Sequence, residues 1–283
     1  MAEADVYEKL REKMSLWSIK VPRTRESMEM LSTLFTKEEA EFLTHFKAPY
    51  KDAETLDQIV EKTGKPRKKV QAIVDRLVSR GLLFKFTSKR DGKVYYSLEP
   101  MIPGIFEFYF VSVPDSDERR KVSELFEKYY MGGGGIEGGA ANYPWARVMP
   151  IEKTITLDKE ISAEHEILPF EKMSEYIADS RKIAVMNCAC RTHKQCEHPL
   201  ETCLVFDYFA EFMVERGHGR YLSVKEALKL LEEMEKAGLV HCTTNVQTRP
   251  QFVCNCCTCA CGILRGLSAL HNPRAFAKSN FLP

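Results

Sequence analysis

No apolar run in this 283-residue chain approaches the roughly 20 residues that a membrane-spanning helix needs, so the sequence reads as one that does not insert into a bilayer. The start, Met1-Ala-Glu-Ala-Asp-Val6, lacks the basic stretch and apolar core of a secretory signal. An excess of one charge is missing too. Lys and Arg number 41 against 40 Asp and Glu, and that balance names no partner by itself. With 44% hydrophobic residues, the composition excludes wholesale disorder. No internal repeat is visible. Gly132–Gly135 lacks the Gly-Lys-Ser/Thr ending of a phosphate loop, so this stretch reads as a linker. No Ser/His/Asp constellation stands out, and Glu164 and Glu166 have no evident acid–base partner. The expected setting is the cytoplasm, where a reducing poise leaves thiols available to metal.

What is abundant is cysteine in the wrong places for disulfides. Nine of the ten cysteines fall in two tracts: Cys188, Cys190, Cys196 and Cys203, then Cys254, Cys256, Cys257, Cys259 and Cys261. Five thiols within eight residues cannot pair off as unstrained bridges, which need Cα atoms about 5.5 Å apart and suitably aimed Cβ bonds. Thiolates at this density suit soft metal centres: iron–sulfur clusters, zinc or Cu(I). The second tract is not the ferredoxin run C-x2-C-x2-C-x3-C, because the third position falls on Ala260 or Gly262. The expected geometry is therefore shared: thiols of the two tracts meet around one cluster, or two clusters lie side by side. Zinc is the competing metal, and a packed group of unliganded thiols is the bland alternative. His193 and His198 are candidate imidazole ligands, weighed against simple exposure or a hydrogen bond to sulfur. Arg191 and Lys194 would offset thiolate charge. Cys242, standing apart, reads as a buried core thiol.

The chain reads as α+β, with an N-terminal winged helix-turn-helix followed by a mixed α+β cluster domain. The boundaries are 1–100 for the helical and winged-helix part, 101–150 for a connecting region with the Gly-rich loop, and 151–283 for the cysteine-rich domain. Residues 1–47 look helical and polar, with Leu31, Leu34 and Phe35 as apolar contacts. Helices are expected from Thr36 or Lys37 to about Phe46, from Thr55 to Lys62, and from Pro66 to Gly81. The last carries the stripe Val70, Ile73, Val74, Leu77. Two strands follow, around Leu83–Phe86 and Val94–Ser97, joined through Asp91-Gly92. A helix is expected from about Asp115 to Tyr130, then a flexible Gly-rich loop. Beyond it, strands are expected at Thr154–Leu157 and Ile183–Met186. Helices are expected at Phe170–Asp179, from Cys203 to about Arg216, and from a capping box at Ser223 and Glu226 to Ala237. On this reading Cys188 and Cys190 leave a strand end on one side. Cys203 opens a helix whose N-terminus would stabilise its thiolate.

Three stretches carry a resemblance. They are Cys188-Ala-Cys-Arg with Cys196-Glu-His-Pro-Leu-Glu-Thr-Cys203, Gly238-Leu-Val-His with Asn245, and Cys254-Asn-Cys-Cys-Thr-Cys-Ala-Cys261 with Ser279-Asn-Phe281. Together with Pro103-Gly-Ile-Phe-Glu-Phe108, they resemble the 4Fe-4S ferredoxin-type iron–sulfur binding proteins of anaerobic bacteria and archaea, over roughly residues 50–283. The resemblance implies one or two clusters of [4Fe-4S] type. The family continues into a ferredoxin module with two cubane motifs. The present chain, ending at Pro283, would be a shortened chain or a member without that module.

Over residues 50–98, twelve Lys and Arg face six Asp and Glu. Arg67, Lys68, Lys69 and Arg76 on the third helix, with Lys89 and Arg90 on the wing, are candidate DNA contacts. Winged helices also serve as protein-contact modules, and an outer helix face is ordinarily charged. The expected function is thus an iron–sulfur electron carrier, or a redox subunit of an oxidoreductase, acting with a redox partner protein. The first alternative is a redox- or iron-responsive transcription regulator, for which an exchanged N-terminal helix would supply a homodimer. The second is a zinc-dependent interaction module.

Overall fold

The computed structural model describes residues 2–135, 144, 146–149, 173–245 and 250–277, with side chains described from residue 6 onward. The fold is mixed α+β. The chain forms two compact units: Met1–Gly139 with Thr192–Lys194, and Ala140–Arg191 with Gln195–Pro283.

The first unit begins with α1 (Ala2–Met14), α2 (Arg25–Leu34), α3 (Lys37–Thr44), α4 (Leu56–Thr63) and α5 (Arg67–Ser79). Capping decides where these helices start. Thr24, Thr36 and Thr55 each accept a backbone N–H of the first turn, and Ser27, Glu39 and Gln58 return the bond. Gly64 ends α4 in the left-handed region at φ 64°, and Pro66 precedes the first turn of α5. The expected stripe Val70, Ile73, Val74, Leu77 is buried, as are Leu31, Leu34 and Phe35. Strands β1 (Phe84–Thr87) and β2 (Val94–Ser97) pair antiparallel as a hairpin. Helices α6 (Phe106–Ser112) and α7 (Asp117–Tyr129) complete the unit. Tyr130–Gly134, at the start of the Gly-rich stretch, breaks the helical path at Gly133, and residues 136–143 of that stretch lie outside the described residues.

The second unit is organised by a six-stranded antiparallel sheet in the order β3-β7-β8-β5-β4-β6. Its strands are β3 (Ala146–Val148), β4 (Ile183–Asn187), β5 (Glu201–Phe206), β6 (Gly219–Leu222), β7 (Val240–Thr244) and β8 (Phe252–Cys256). Period-2 alternation gives the sheet two different faces. One face, with Ile183, Val185, Leu204, Phe206 and Val253, packs with Ile177 of α8 (Met173–Asp179) and with Ala227 and Leu231 of α11 (Val224–Lys236). Helix α10 (Asp207–Val214) lies against β4, β5 and β6, and Gly219 is required there because a Cβ would sit 2.9 Å from the Val185 carbonyl oxygen. The capping box of Ser223 and Glu226 is present.

Two expectations are corrected. Cys203 does not open a helix: it lies within β5, and the helix begins at Asp207. The run Thr202-Cys-Leu-Val-Phe206 alternates between the two sheet faces between β4 and β8, and that lateral pairing outweighs helix propensity. Cys188 and Cys190 do not both leave a strand end. The strand stops at Asn187, and Cys188 directly precedes the short helix α9 (Ala189–Lys194) that carries Cys190. The strand expected at Thr154–Leu157, the first residues of the helix at Phe170, and Glu164, Glu166 and Ser279-Asn-Phe281 lie outside the described residues. No described helix is long and apolar enough to cross a membrane.

Candidate metal centre

Four kinds of local structure deliver the thiols. Helix α9 carries Cys190 and Arg191. Gln195 then takes a left-handed φ of 52° and turns the chain into the loop of Cys196 and His198. Strand β5 supplies Cys203, β7 supplies Cys242, and β8 supplies Cys254 and Cys256. A turn carrying Cys257, Cys259 and Cys261 leads to α12 (Leu264–Ser268).

The sheet register explains why the tracts meet. Cys242 pairs opposite Cys254, and Leu204 opposite Val253. One residue further, Cys203 comes beside Cys254, and their side chains hydrogen-bond. Cys203, Cys254, Cys256 and Cys242 thus share the sheet face opposite the Leu204–Val253 core. Cys256 contacts Cys242 and Cys254, and its Sγ lies 3.2 Å from that of Cys261. Cys190 in turn hydrogen-bonds with Cys188 and Cys261. These seven thiols form one continuous series, packed with Leu264, Ile263 and Phe276 at its centre.

The remaining three thiols form a tighter group. Cys196 Sγ lies 3.8 Å from Cys257 Sγ, and Cys257 Sγ 3.2 Å from Cys259 Sγ. His198 Nδ1 is 3.7 Å from Cys196 Sγ and 3.5 Å from Cys259 Sγ. All four donor atoms lie within 4.8 Å of one another, so this group can hold a metal ion. Met234, Leu239 and Ala260 pack around Cys257, and Cys259 is exposed.

A buried cation adjoins both groups. Arg191 is 2% exposed. Its Nη1 donates to the Pro199 carbonyl oxygen at 2.7 Å and to Thr202 Oγ1 at 2.6 Å, and its Nη2 donates to the Asn255 carbonyl oxygen. The guanidinium also hydrogen-bonds Cys257 and interacts electrostatically with Cys188 and Cys196. Burial by itself would raise the Cys257 thiol, but the bonds from Cys259 and Arg191 outweigh it and bring it down to about 7. Cys259, although exposed at the surface, is pushed up to about 12 by partial desolvation and by its bonds with Cys257 and Cys196. Cys261 is brought down to about 6 by bonds from Cys190 and Cys256.

The two histidines named as candidates part company. His198 joins the tight group. His193 belongs to the first unit, where its Nδ1 lies 2.6 Å from Ser123 Oγ and its ring packs among Phe106, Phe110 and Phe126. Lys194 pairs with Glu127 at 3.1 Å. Cys242 is buried, as the sequence suggests, yet it is a full member of the thiol series. Its place follows from the pairing of β7 with β8, which no spacing in the sequence reveals. His241, Asn255 and Thr202 are likewise invisible to motif reading. His241 Nδ1 donates to Asn255 Oδ1 at 2.5 Å, and Asn255 Nδ2 donates to the Thr202 carbonyl oxygen, tying β7, β8 and β5 together beneath the thiols. Burial lowers the pKa of His241, which keeps its ring neutral.

The candidate DNA contacts Arg67, Lys68, Lys69, Arg76, Lys89 and Arg90 are all exposed. Three of them face carboxylates: Arg67 pairs with Asp57, Lys69 with Glu38 at 2.5 Å, and Arg76 with Glu39 at 2.6 Å. Glu38 and Glu39 precede residues 50–98, so a charge count over that stretch misses them. No protein-family model, curated protein or solved structure matches the chain.

Proposed function

We propose that this chain is an iron–sulfur protein that carries single electrons between partner proteins in the cytoplasm of an anaerobe, with one or two clusters of [4Fe-4S] type. The observation that carries the reading is the convergence of two distant cysteine tracts, with Cys242, into one contiguous body of soft donors. Thiolates bind iron–sulfur clusters in preference to hard cations. The donor chemistry of Cys188, Cys190, Cys203, Cys254, Cys256 and Cys261 fits such a group, and Arg191 supplies a fixed positive charge beside it. A bound cluster would supply a one-electron couple, whose potential this chain would tune through N–H···S bonds and burial. The resemblance to the 4Fe-4S ferredoxin-type proteins points the same way.

The helices α3 to α5 followed by the β1–β2 hairpin support a winged helix-turn-helix reading of the first unit. That arrangement also serves the regulator alternative, but regulation through DNA needs free positive charge. Arg67, Lys69 and Arg76 each pair with a carboxylate, which lowers the positive charge those three offer to DNA and favours the carrier. Leu31, Leu34 and Phe35 are covered within the chain, so those apolar side chains call for no homodimer.

Metal and sulfide content tests the proposal. Anaerobically purified protein is expected to be brown, with iron and acid-labile sulfide in near-equal amounts and an EPR signal on reduction. Colourless protein without sulfide would reject it.

A further inference from the structure

The tight group differs from the rest in a way that bears on which metal it takes. A tetrahedral zinc ion with bonds of about 2.3 Å to sulfur and about 2.05 Å to nitrogen sets its ligands about 3.8 Å apart for S···S and about 3.6 Å for S···N. Cys196 and Cys257 at 3.8 Å and the two separations of 3.7 and 3.5 Å to His198 Nδ1 match that spacing, Cys257 and Cys259 at 3.2 Å stand closer, and the remaining two pairs lie within 4.8 Å. Cubane thiolates stand on four different irons, each directed outward from its own corner, so their sulfurs lie farther apart than ligands sharing one ion. The group also has four protein donors and needs no fifth, as in closed structural zinc sites. Both halves come in pairs two residues apart, Cys196 with His198 and Cys257 with Cys259. Each half sits on irregular backbone, the loop after α9 and the turn after β8, with no ladder of hydrogen bonds to hold it. An ion at this point would cross-link segments about 60 residues apart in sequence. Three thiolates on Zn²⁺ leave one net negative charge, which the buried Arg191 guanidinium meets through its bond to Cys257.

We propose that Cys196, His198, Cys257 and Cys259 form a separate, single-ion zinc site that fastens the second cysteine tract to the first, distinct from the ligands of any iron–sulfur cluster. This rests on the metal–thiolate reading above only in calling the chain a two-metal protein, and the two claims fail separately.

The experiment measures zinc, iron and sulfide on the same anaerobic preparation, in the full-length protein and in His198→Ala and Cys259→Ser. The zinc-edge X-ray absorption spectrum of the unaltered protein is recorded alongside. The expected result is about one zinc per chain with three sulfur ligands and one nitrogen ligand. Each variant should lose zinc at least about tenfold on dialysis, the usual scale of a lost ligand or its support, while keeping its iron and sulfide. Zinc in an all-nitrogen-and-oxygen shell, or no zinc, would overturn the inference even if the protein is brown. So would parallel loss of iron and sulfide in both variants with zinc absent from the parent. A colourless parent carrying zinc on three sulfurs would uphold this site and reject the electron-carrier proposal. Should the variants fail to fold, the spectrum of the parent decides alone.

Discussion

Glu39 shows how much one side chain can be asked to do. It is fully buried, completes the cap of α3 through Thr36, and pairs with Arg76 of α5. Burial pushes its carboxyl up, but the bonds from Arg76 and Thr36 outweigh that and hold it below its ordinary value of 4.5. A depressed carboxylate contributes stability that is present above its unfolded-state pKa and is lost as pH falls through the folded one. Glu39→Gln keeps the cap geometry and removes the charge. It is expected to cost about 1 kcal/mol at neutral pH, discounted from a buried pair because Arg76 is half-exposed. The cost should shrink towards zero as the pH drops below the carboxylate range, where the unaltered Glu39 is itself protonated. Urea midpoints at neutral and acid pH check both the size and the sign.

At the scale of elements, two glycines that close helices make a matched comparison. Gly64 after α4 and Gly81 after α5 both hold positive φ, 64° and 68°. A Cβ on Gly64 meets nothing within 4 Å, whereas one on Gly81 would stand 2.6 Å from the backbone carbon and oxygen of Phe108 in α6. Gly64→Ala therefore isolates the conformational cost, about 1–2 kcal/mol. Gly81→Ala adds a clash with backbone that cannot rotate away, for a total of about 3 kcal/mol or more. Denaturant unfolding of the two variants reads the difference, and equal losses would mean that α6 yields to the added methyl. The same scale explains the error over Cys203. Judged alone, its segment has the length and apolar content of a helix. Placed between β4 and β8, it becomes the strand that sets Cys203 beside Cys254.

For the whole molecule, the expectation concerns where metal contributes to stability. Loops 195–200 and 257–262 have little regular hydrogen bonding, so on the proposed metal reading the free energy of ligation would be folding free energy there. Stripping metal with a strong chelator under reducing conditions should raise amide exchange at least about tenfold across 188–203 and 254–261. Exchange in α3, α4, α5 and the β1–β2 hairpin should stay unchanged, since no thiol belongs to that unit. Hydrogen-exchange mass spectrometry resolves the two regions. Equal acceleration in both would contradict a role for metal confined to the cysteine-rich unit.

The amino-acid sequence by itself determined the chemistry and the local punctuation. Thiols too crowded for disulfides pointed to soft metal, because that constraint is covalent geometry over a few residues. Thr36, Thr55 and Ser223 marked helix starts, because capping bonds span only three or four residues, and Pro66 marked another through its fixed φ. Tertiary structure alone decided which thiols lie together. Cys242 joins the series only because β7 pairs with β8, and Cys196 meets Cys257 across some 60 residues because the sheet brings their loops to one place. His198 and His193, five residues apart and alike in sequence, part because one loop turns towards the sulfurs and one helix end turns towards Phe106 and Phe110. The charge on α5 likewise changed meaning once folding set Glu38 and Glu39 against it. Contacts between distant segments depend on strand register and on the direction of each turn, and neither leaves a short-range pattern in the chain.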